Sequence, residues 1–489
     1  MSNSQQQSPP DASAAGAVSP LPRRLRSVQD WLCGILGTEE VDRDPRLKII
    51  CGCLLMYFHM TFYFWRQQAV PLSTRGNDVF DYVPAPFWQD LRWLVCLDQF
   101  QTETYLYVLG MAALLGLFSL FYLRSSLLAL CLLAWLLVNK VFFYLCDFRL
   151  FTNYHHFHLL YTLTFLLARD KLRFFRCALG LSYFMSAVVK LSPSWLYGEY
   201  FNSVPEKLPL LPKADWLVTA ASVGVVVLEF LGPLCWLTGI RWLRRLSFGA
   251  FLSFHLYSGV IVGFFYTTLM LPLVAGAFLG FHEPLLAGWR FSRRHLPVLA
   301  LFAAALTGSV CHYFIPGDVR LTGEGRYAGL FMFDANRSVR FETKIEKGSD
   351  LIVLQVYRRW RDPQTGKNTE FGVQCEVYQN GELAESMTIR DPLLVGDVII
   401  FNPEMFNSAR ARISGDAYLY YYYARELVRR FQPDRVSLRL EVKLDGHPEA
   451  VTLLDIADFA ALNPTYRSFG RNDWIKLPEP DSPPAYRWP

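Results

Sequence analysis

Charge is scarce in this chain. Asp, Glu, Lys and Arg make up 19% of its 489 residues, against about 25% in soluble globular domains. Hydrophobic residues reach 52%, and mean hydropathy is positive although the last third reads as polar. The apolar excess therefore lies in the first two thirds, which excludes an ordinary soluble protein and points to a polytopic membrane protein. A strong basic field is also missing. The net charge is +5, spread over short loops rather than patches, so nothing suggests a nucleic-acid partner. Metal-ligand spacing of cysteine is absent, because Cys51-Gly-Cys53 is one residue short of a CxxC pair. Cys51, Cys53, Cys131, Cys177, Cys235 and Cys311 sit inside apolar runs and read as small hydrophobes. Only Cys375 lies in the polar third, which excludes a disulfide within it. The start of the chain is not expected to act as a secretory signal, since no apolar core follows a basic start within it. Residues 1–22, rich in Ser, Gln, Pro and Ala, are expected to be disordered.

Apolar windows long enough to cross a bilayer fall at 48–65, 105–122, 126–145, 154–169, 174–190, 216–237, 246–263, 264–280 and 295–313. Nine spans are expected, with a re-entrant pair over 246–280 as the rival to two spans there. Loop charge favours nine. Alternate loops carry Arg124; Arg169, Lys171, Arg173 and Arg176; Arg241, Arg244 and Arg245; Arg290, Arg293 and Arg294. The remaining loops carry Asp78, Asp81, Asp90, Asp98, Asp147, Glu199, Glu206 and Asp215. The positive-inside rule then puts the N-terminus in the cytoplasm and the C-terminal part outside. This fits a bacterial plasma membrane and an endoplasmic reticulum equally.

From about Gly317 the pattern changes to strand alternation, over 351–357, 371–378, 398–401 and 436–442, with turn signals at Asp362-Pro, Gln379-Asn-Gly381 and Asp445-Gly446. A helix is expected over Asp416–Arg430, its tyrosines Tyr420–Tyr423 forming one packed face plus exposed rings. The expected architecture is a membrane α-helical bundle of about nine transmembrane helices, followed by an extracytoplasmic β-rich, sandwich-like domain. The boundaries are 1–44 for the N-terminal segment, 45–315 for the membrane domain, 316–477 for the β-rich domain and 478–489 for a Pro-rich tail.

Lys190 ends the apolar run that begins at Cys177. A charged amine costs about 2.5–3.5 kcal/mol at the centre of a spanning helix and less near its end. Snorkelling, a partner or a function must offset that cost, and snorkelling is the plain reading. Asp147 sits in an outer loop, His155 and His156 open the fourth span, and His255 lies mid-span in the seventh. These positions can converge near the outer half of the bundle. His158 reads as an interfacial polar residue. Glu229, just before Pro233, reads as a partner for a loop arginine or a helix-shaping group.

The block Tyr183-Phe-Met-Ser-Ala-Val-Val-Lys-Leu-Ser-Pro-Ser-Trp195-Leu-Tyr-Gly198 resembles the vitamin K-dependent gamma-glutamyl carboxylase family, whose pattern there is Tyr-Phe, a small-apolar stretch, Lys-Lys-Leu, two small residues, Asp-Trp and a later Gly. Val189 stands for the first lysine and Ser194 for the aspartate. Further blocks follow in the same order: Asn153-Tyr-His-His-Phe157, Ser253-Phe-His255, Gly325-Arg-Tyr-Ala-Gly-Leu-Phe-Met332 with Gly329 where tryptophan is expected, Phe401-Asn-Pro-Glu-Met-Phe406, and Asn463 to Trp474. The likeness covers roughly residues 45–475. It extends to bacterial proteins carrying the horizontally transferred transmembrane (HTTM) domain. Cys96 matches one partner of the family's inter-domain disulfide, but no cysteine stands near Arg425 for the other.

The resemblance implies an integral membrane enzyme that couples epoxidation of vitamin K hydroquinone, or another reduced quinone, by O2 to carboxylation of peptide glutamate with CO2, without a metal. Lys190 would be the base that deprotonates the quinol. His155 or His255 would hydrogen-bond the quinol oxygen, with His156 as second choice to His155, and Asp147 would orient the imidazole or the lysine. His156, Tyr183, Trp195 and Tyr257 would surround the cofactor. The expected partners are the lipid bilayer and a glutamate-containing peptide or protein at the outer face. The alternatives are a non-catalytic HTTM scaffold or binding protein and a related quinol-dependent enzyme acting on another substrate. A transporter ranks last, because no inverted repeat shows.

Overall fold

The structure, a computed structural model, describes residues 23–69, 83–88, 99–150, 152–191, 193–196, 198, 209, 214–262, 264–279, 284–317, 319–325, 330, 337–361, 368–407, 415–444 and 449–476. The expected disorder over 1–22, the tail 478–489, Cys96, Gly329, the turns at Asp362 and Asp445, and the loop acids Asp78, Asp81, Asp90, Asp98, Glu199 and Glu206 lie outside those residues.

The first two thirds form helices α1 (Arg23–Leu36), α2 (Thr38–Arg43), α3 (Pro45–Ala69), α4 (Gln99–Phe121), α5 (Ser126–Cys146), α6 (Asn153–Leu167), α7 (Lys171–Val189), α8 (Pro193–Leu196), α9 (Asp215–Leu237), α10 (Arg241–Val262), α11 (Phe264–Phe278) and α12 (Leu296–Val310). A helix stands at each of the nine expected windows. Six of them are long and apolar enough to cross a membrane: Pro45–Arg66, Thr102–Phe121, Ser126–Cys146, Lys171–Val189, Asp215–Leu237 and Arg293–Phe314. The chain is thus a multi-pass membrane protein by its helices. The other three differ for separate reasons. Helices α6 and α11 have 15 residues each and rise about 22 Å at 1.5 Å per residue, short of the roughly 30 Å hydrocarbon core. Helix α10 has 22 residues, but Arg241, Arg244 and Arg245 occupy its start. Helices α10 and α11 pack on each other.

Two ends of the bundle are distinct. At one, α1 and α2 fold beneath the spans. Ser126 at the start of α5 donates to Asp42 Oδ1 at 2.5 Å, and the Lys171 amide at the start of α7 donates to Glu40 Oε2 at 2.8 Å. Arg173 donates to the Ala287 carbonyl at 3.1 Å. The arginine-bearing loops therefore share this end, as alternate loops must. Asp44 starts α3 there. Its carboxylate accepts from the amide and guanidinium of Arg46, and this hydrogen bonding holds it below the usual carboxylate range despite partial burial.

The other end carries the β domain. Strands β1 (Arg337–Lys347), β2 (Asp350–Arg361), β3 (Asn368–Gln379), β4 (Glu382–Thr388), β7 (Arg435–Leu444) and β8 (Val451–Ile456) form one antiparallel sheet in the order β4-β3-β2-β1-β7-β8. Strands β5 (Leu393–Val395) and β6 (Val398–Phe401) form a separate ribbon. The β3–β4 turn is the expected Asn380-Gly381, both residues at positive φ. The sandwich-like expectation is corrected. The sheet is covered by a helix, α15 (Ala417–Phe431), which follows two shorter ones, α13 (Val319–Thr322) and α14 (Pro403–Asn407). Alternation shows that a strand has a buried face, not what covers it.

Asp416 caps α15, accepting from the Tyr418 amide at 3.0 Å. The tyrosine run is also corrected, because all four rings are buried. On one side Tyr420 and Tyr423 meet Phe341, Phe401 and Phe406 of the sheet and ribbon. On the other, Tyr421 meets Tyr466 and Trp474, and Tyr418 donates to the Pro84 carbonyl at 2.8 Å. Val83, Ala85 and Phe148, from loops of the bundle, belong to this same core. The β domain is thereby seated on the ends of α3 and α5.

Candidate functional site

Helix α7 stops at Lys190, whose amide reaches the Ser186 and Ala187 carbonyls. Pro193 then opens α8, where a missing N–H is harmless. The Lys190 side chain does not snorkel. It is 3% exposed, and Nζ donates to Glu229 Oε2 at 2.5 Å. Glu229 is 1% exposed and lies in the middle of α9, four residues before Pro233. Proline has no amide to give the residue-229 carbonyl, so the helix is weakened at the site. The expectation that Glu229 pairs with a loop arginine is corrected: its partner is the lysine that sequence had singled out. A carboxylate and an ammonium this deeply buried need each other, since either one alone would carry a large desolvation penalty.

His255 and Tyr183 stand beside the pair. The Tyr183 hydroxyl and His255 Nε2 hydrogen-bond at 2.5 Å. The His255 ring also packs against Tyr266, with ring centroids 5.5 Å apart. Packing fixes the Tyr183 ring, which stacks on Phe251 with centroids 4.0 Å apart. Gly232 permits that approach, because a Cβ there would come within 2.6 Å of the Phe251 ring. The His255 carbonyl accepts from Thr267 Oγ1 at 2.9 Å and so ties α10 to α11.

Trp195 closes the third side. Lys190 Nζ lies 5.4 Å from the centroid of its ring, within cation–π range. Its indole N–H donates to the Ser222 carbonyl at 3.0 Å. Gly198 makes this packing possible. It sits at φ +75°, and a Cβ would come within 2.4 Å of Val218 Cγ1. Tyr257 packs partly buried against the cluster of Trp195 and Val218 and donates to the Pro209 carbonyl at 2.6 Å.

Three buried polar atoms around Lys190 have no hydrogen-bond partner among the described residues: Glu229 Oε1, His255 Nδ1 and Ser186 Oγ, the last one turn before the lysine. Buried polar groups are nearly always satisfied. Three orphans on the elements that frame one ion pair make this the candidate binding site.

The remaining expected residues lie elsewhere. His155 Nε2 accepts from Trp65 at 3.3 Å, and its ring packs among Tyr57, Trp65, Tyr144 and Tyr154. His156 packs at the edge of Phe157. Asp147 caps α5, its amide bonded to the Phe143 carbonyl. The structure thus gathers His255, Tyr183 and Trp195 around Lys190, with Tyr257 packed behind Trp195, and places His155 in a group between α3, α5 and α6, with Asp147 at the end of α5. In that group His158 is corrected from an interfacial residue to a fully buried one. Its Nδ1 meets Lys140 Nζ at 2.8 Å, and its Nε2 meets the Leu54 carbonyl at 3.1 Å. Lys140 was legible as a charge inside an apolar run, the same signal that marked Lys190.

The outer blocks of the resemblance serve packing in the β domain. Phe401 and Phe406 stack at 5.2 Å. Trp474 stacks on Tyr421. Glu324 accepts from Arg471 and from the Asn472 amide. Among the described residues, no group of three or more His, Cys, Asp or Glu side chains stands together to hold a metal. No family model, no curated protein and no solved structure matches the chain.

Proposed function

We propose that this chain is a membrane enzyme of the vitamin K-dependent carboxylase type, using a reduced quinone to drive carboxylation of glutamate in a peptide or protein at the face that bears the β domain. The observation that carries the reading is the buried Lys190–Glu229 pair, with orphaned polar atoms of Glu229, His255 and Ser186 around it.

The donor set suits a quinol. The faces of Trp195 and Tyr257 offer aromatic contact, and the orphaned His255 Nδ1 and Ser186 Oγ can hydrogen-bond hydroxyl groups. Bound there, a reduced quinone supplies the reaction with oxygen and the strong base that the carboxylation needs. The chain's own part is proton handling. The ammonium–carboxylate pair becomes amine and carboxylic acid when one proton crosses the 2.5 Å contact. In that form Lys190 holds a lone pair that can take a quinol proton, while Glu229 stores the first. Both groups are shielded from bulk water, which a strong base requires. The bond to Tyr183 fixes His255, leaving Nδ1 to face the ligand. The arginine loops at the opposite end support reading that end as cytoplasmic and this face as the outer one.

One observation favours a second reading. Lys190 and Glu229 form an ion pair with each other, so a structural pair in a non-catalytic HTTM scaffold would share that contact. Membranes holding the protein, supplied with vitamin K hydroquinone, labelled bicarbonate and a glutamate peptide, separate the two. Incorporation that Lys190→Ala abolishes supports the enzyme. Equal incorporation with and without the lysine removes it from the mechanism, and no quinone epoxide under any quinol supply leaves the scaffold.

A further inference from the structure

Helix α1 bears an apolar stripe that the protein leaves uncovered. Val28, Trp31 and Ile35 are 52%, 62% and 48% exposed, and their spacing places them on one helical face. The adjacent face, with Leu32, Cys33 and Leu36, turns partly inward, and Leu36 packs against the bundle core. Asp30 lies away from the stripe, and the first turn reads Arg23-Arg24-Leu25-Arg26. The helix therefore carries a net positive charge and two separate apolar contacts.

Its place in the fold names what covers the stripe. Helix α1 packs on α2, α5 and α6, at the start of α5 and the end of α6. This is the end of the bundle that holds the arginine loops. Exposed rings ring the same end: Tyr122 just after α4 is 75% exposed, Trp242 at the start of α10 is 64% exposed, and Phe291 is 59% exposed. Aromatic residues beside arginines mark the level of the membrane–water boundary. The stripe of α1 lies at that same end of the bundle, so the bilayer that the spans require is the surface on hand to cover it.

We infer that α1 is an interfacial helix: it lies in the plane of the bilayer surface, with Val28, Trp31 and Ile35 among the upper acyl carbons. The partner is the lipid surface, and the charge of the first turn sets a preference for acidic lipid. The helix then braces the start of α5 and the end of α6 from outside.

The test uses the full chain in nanodiscs, labelled with 5-fluorotryptophan. The fluorine resonance lost in Trp31→Phe reports α1, and the one lost in Trp474→Phe reports the β domain. A lipid carrying a nitroxide near its headgroup and a soluble gadolinium chelate are the two broadening probes. The inference expects Trp31 to be broadened severalfold more by the lipid probe than by the chelate, the reverse for Trp474, and a larger lipid effect when phosphatidylglycerol replaces phosphatidylcholine. Ile35→Asp is expected to reverse the Trp31 pattern while leaving Trp474 unchanged. Trp31 broadened chiefly by the chelate overturns the inference. Equal broadening in neutral and acidic lipid overturns the role given to the arginines.

Discussion

Lys190 Nζ and Glu229 Oε2 meet at 2.5 Å with both side chains almost wholly buried, one at the end of α7 and the other inside α9. The contact ties together two helices whose partners, α10 and α11, carry His255 and Tyr266. Stability and the proposed chemistry both depend on it, and the two dependences can be separated by measurement.

Removing one partner leaves the other buried and uncompensated. Lys190→Met or Glu229→Leu alone is expected to destabilise the bundle by about 3–5 kcal/mol, and the double change by clearly less than the sum. Thermal unfolding of the purified protein in detergent checks this. Additive losses would show that the two side chains do not interact.

Gly198 is expected to tolerate no side chain. Alanine there places a Cβ 2.4 Å from Val218 Cγ1 at a positive φ, at a cost of about 1–3 kcal/mol for overpacking. Val218→Ala on that background relieves the clash and restores most of the loss. A Gly198→Ala protein with unchanged melting and unchanged tryptophan emission would contradict the packing assigned to Trp195.

Tyr183→Phe keeps the stack on Phe251 and removes only the hydroxyl bonded to His255. The expected loss is about 1–3 kcal/mol, the usual cost of stranding a buried polar atom. His255→Phe on the same background removes the stranded partner and is expected to recover part of it. Chemical denaturation of the four proteins reads both effects.

Asp44 supplies a pH dependence. Its folded value is depressed by the bonds to Arg46, so its contribution is fully present above the ordinary aspartate value of about 3.9 and is lost as pH falls through the lower folded value. Asp44→Asn therefore lowers stability at neutral pH and flattens the fall between about pH 4 and the acid end. Parallel pH profiles for the two proteins would remove Asp44 from the account.

The helices were legible because apolar windows and arginine loops are local signals. Their status as spans was less so, because α6 and α11 carry the right composition at too short a length. Lys190 stood out as a charge ending an apolar run. Its partner did not, because Glu229 lies 39 residues away and only packing brings them together. Trp195 and Gly198 were marked by their block, and the structure supplies the reason: the glycine lets Val218 close on the tryptophan's neighbourhood. His155 was drawn toward the lysine by its position near a span end. The structure places it beside Trp65, because α6 turns that face toward α3 and α5. In the β domain, β4 is exposed along nearly its whole length, so it left no apolar alternation to read. The covering of the sheet by α15 lies beyond what any strand pattern records.

The most direct measurement is quinol oxidation by membranes holding the wild type, Lys190→Ala and Glu229→Gln, each checked for folded protein. The account expects epoxide formation in the wild type, none with Lys190→Ala, and a drop of about two orders of magnitude with Glu229→Gln, the usual contribution of a positioned proton-transfer group. Undiminished epoxide from the folded Lys190→Ala protein would contradict it.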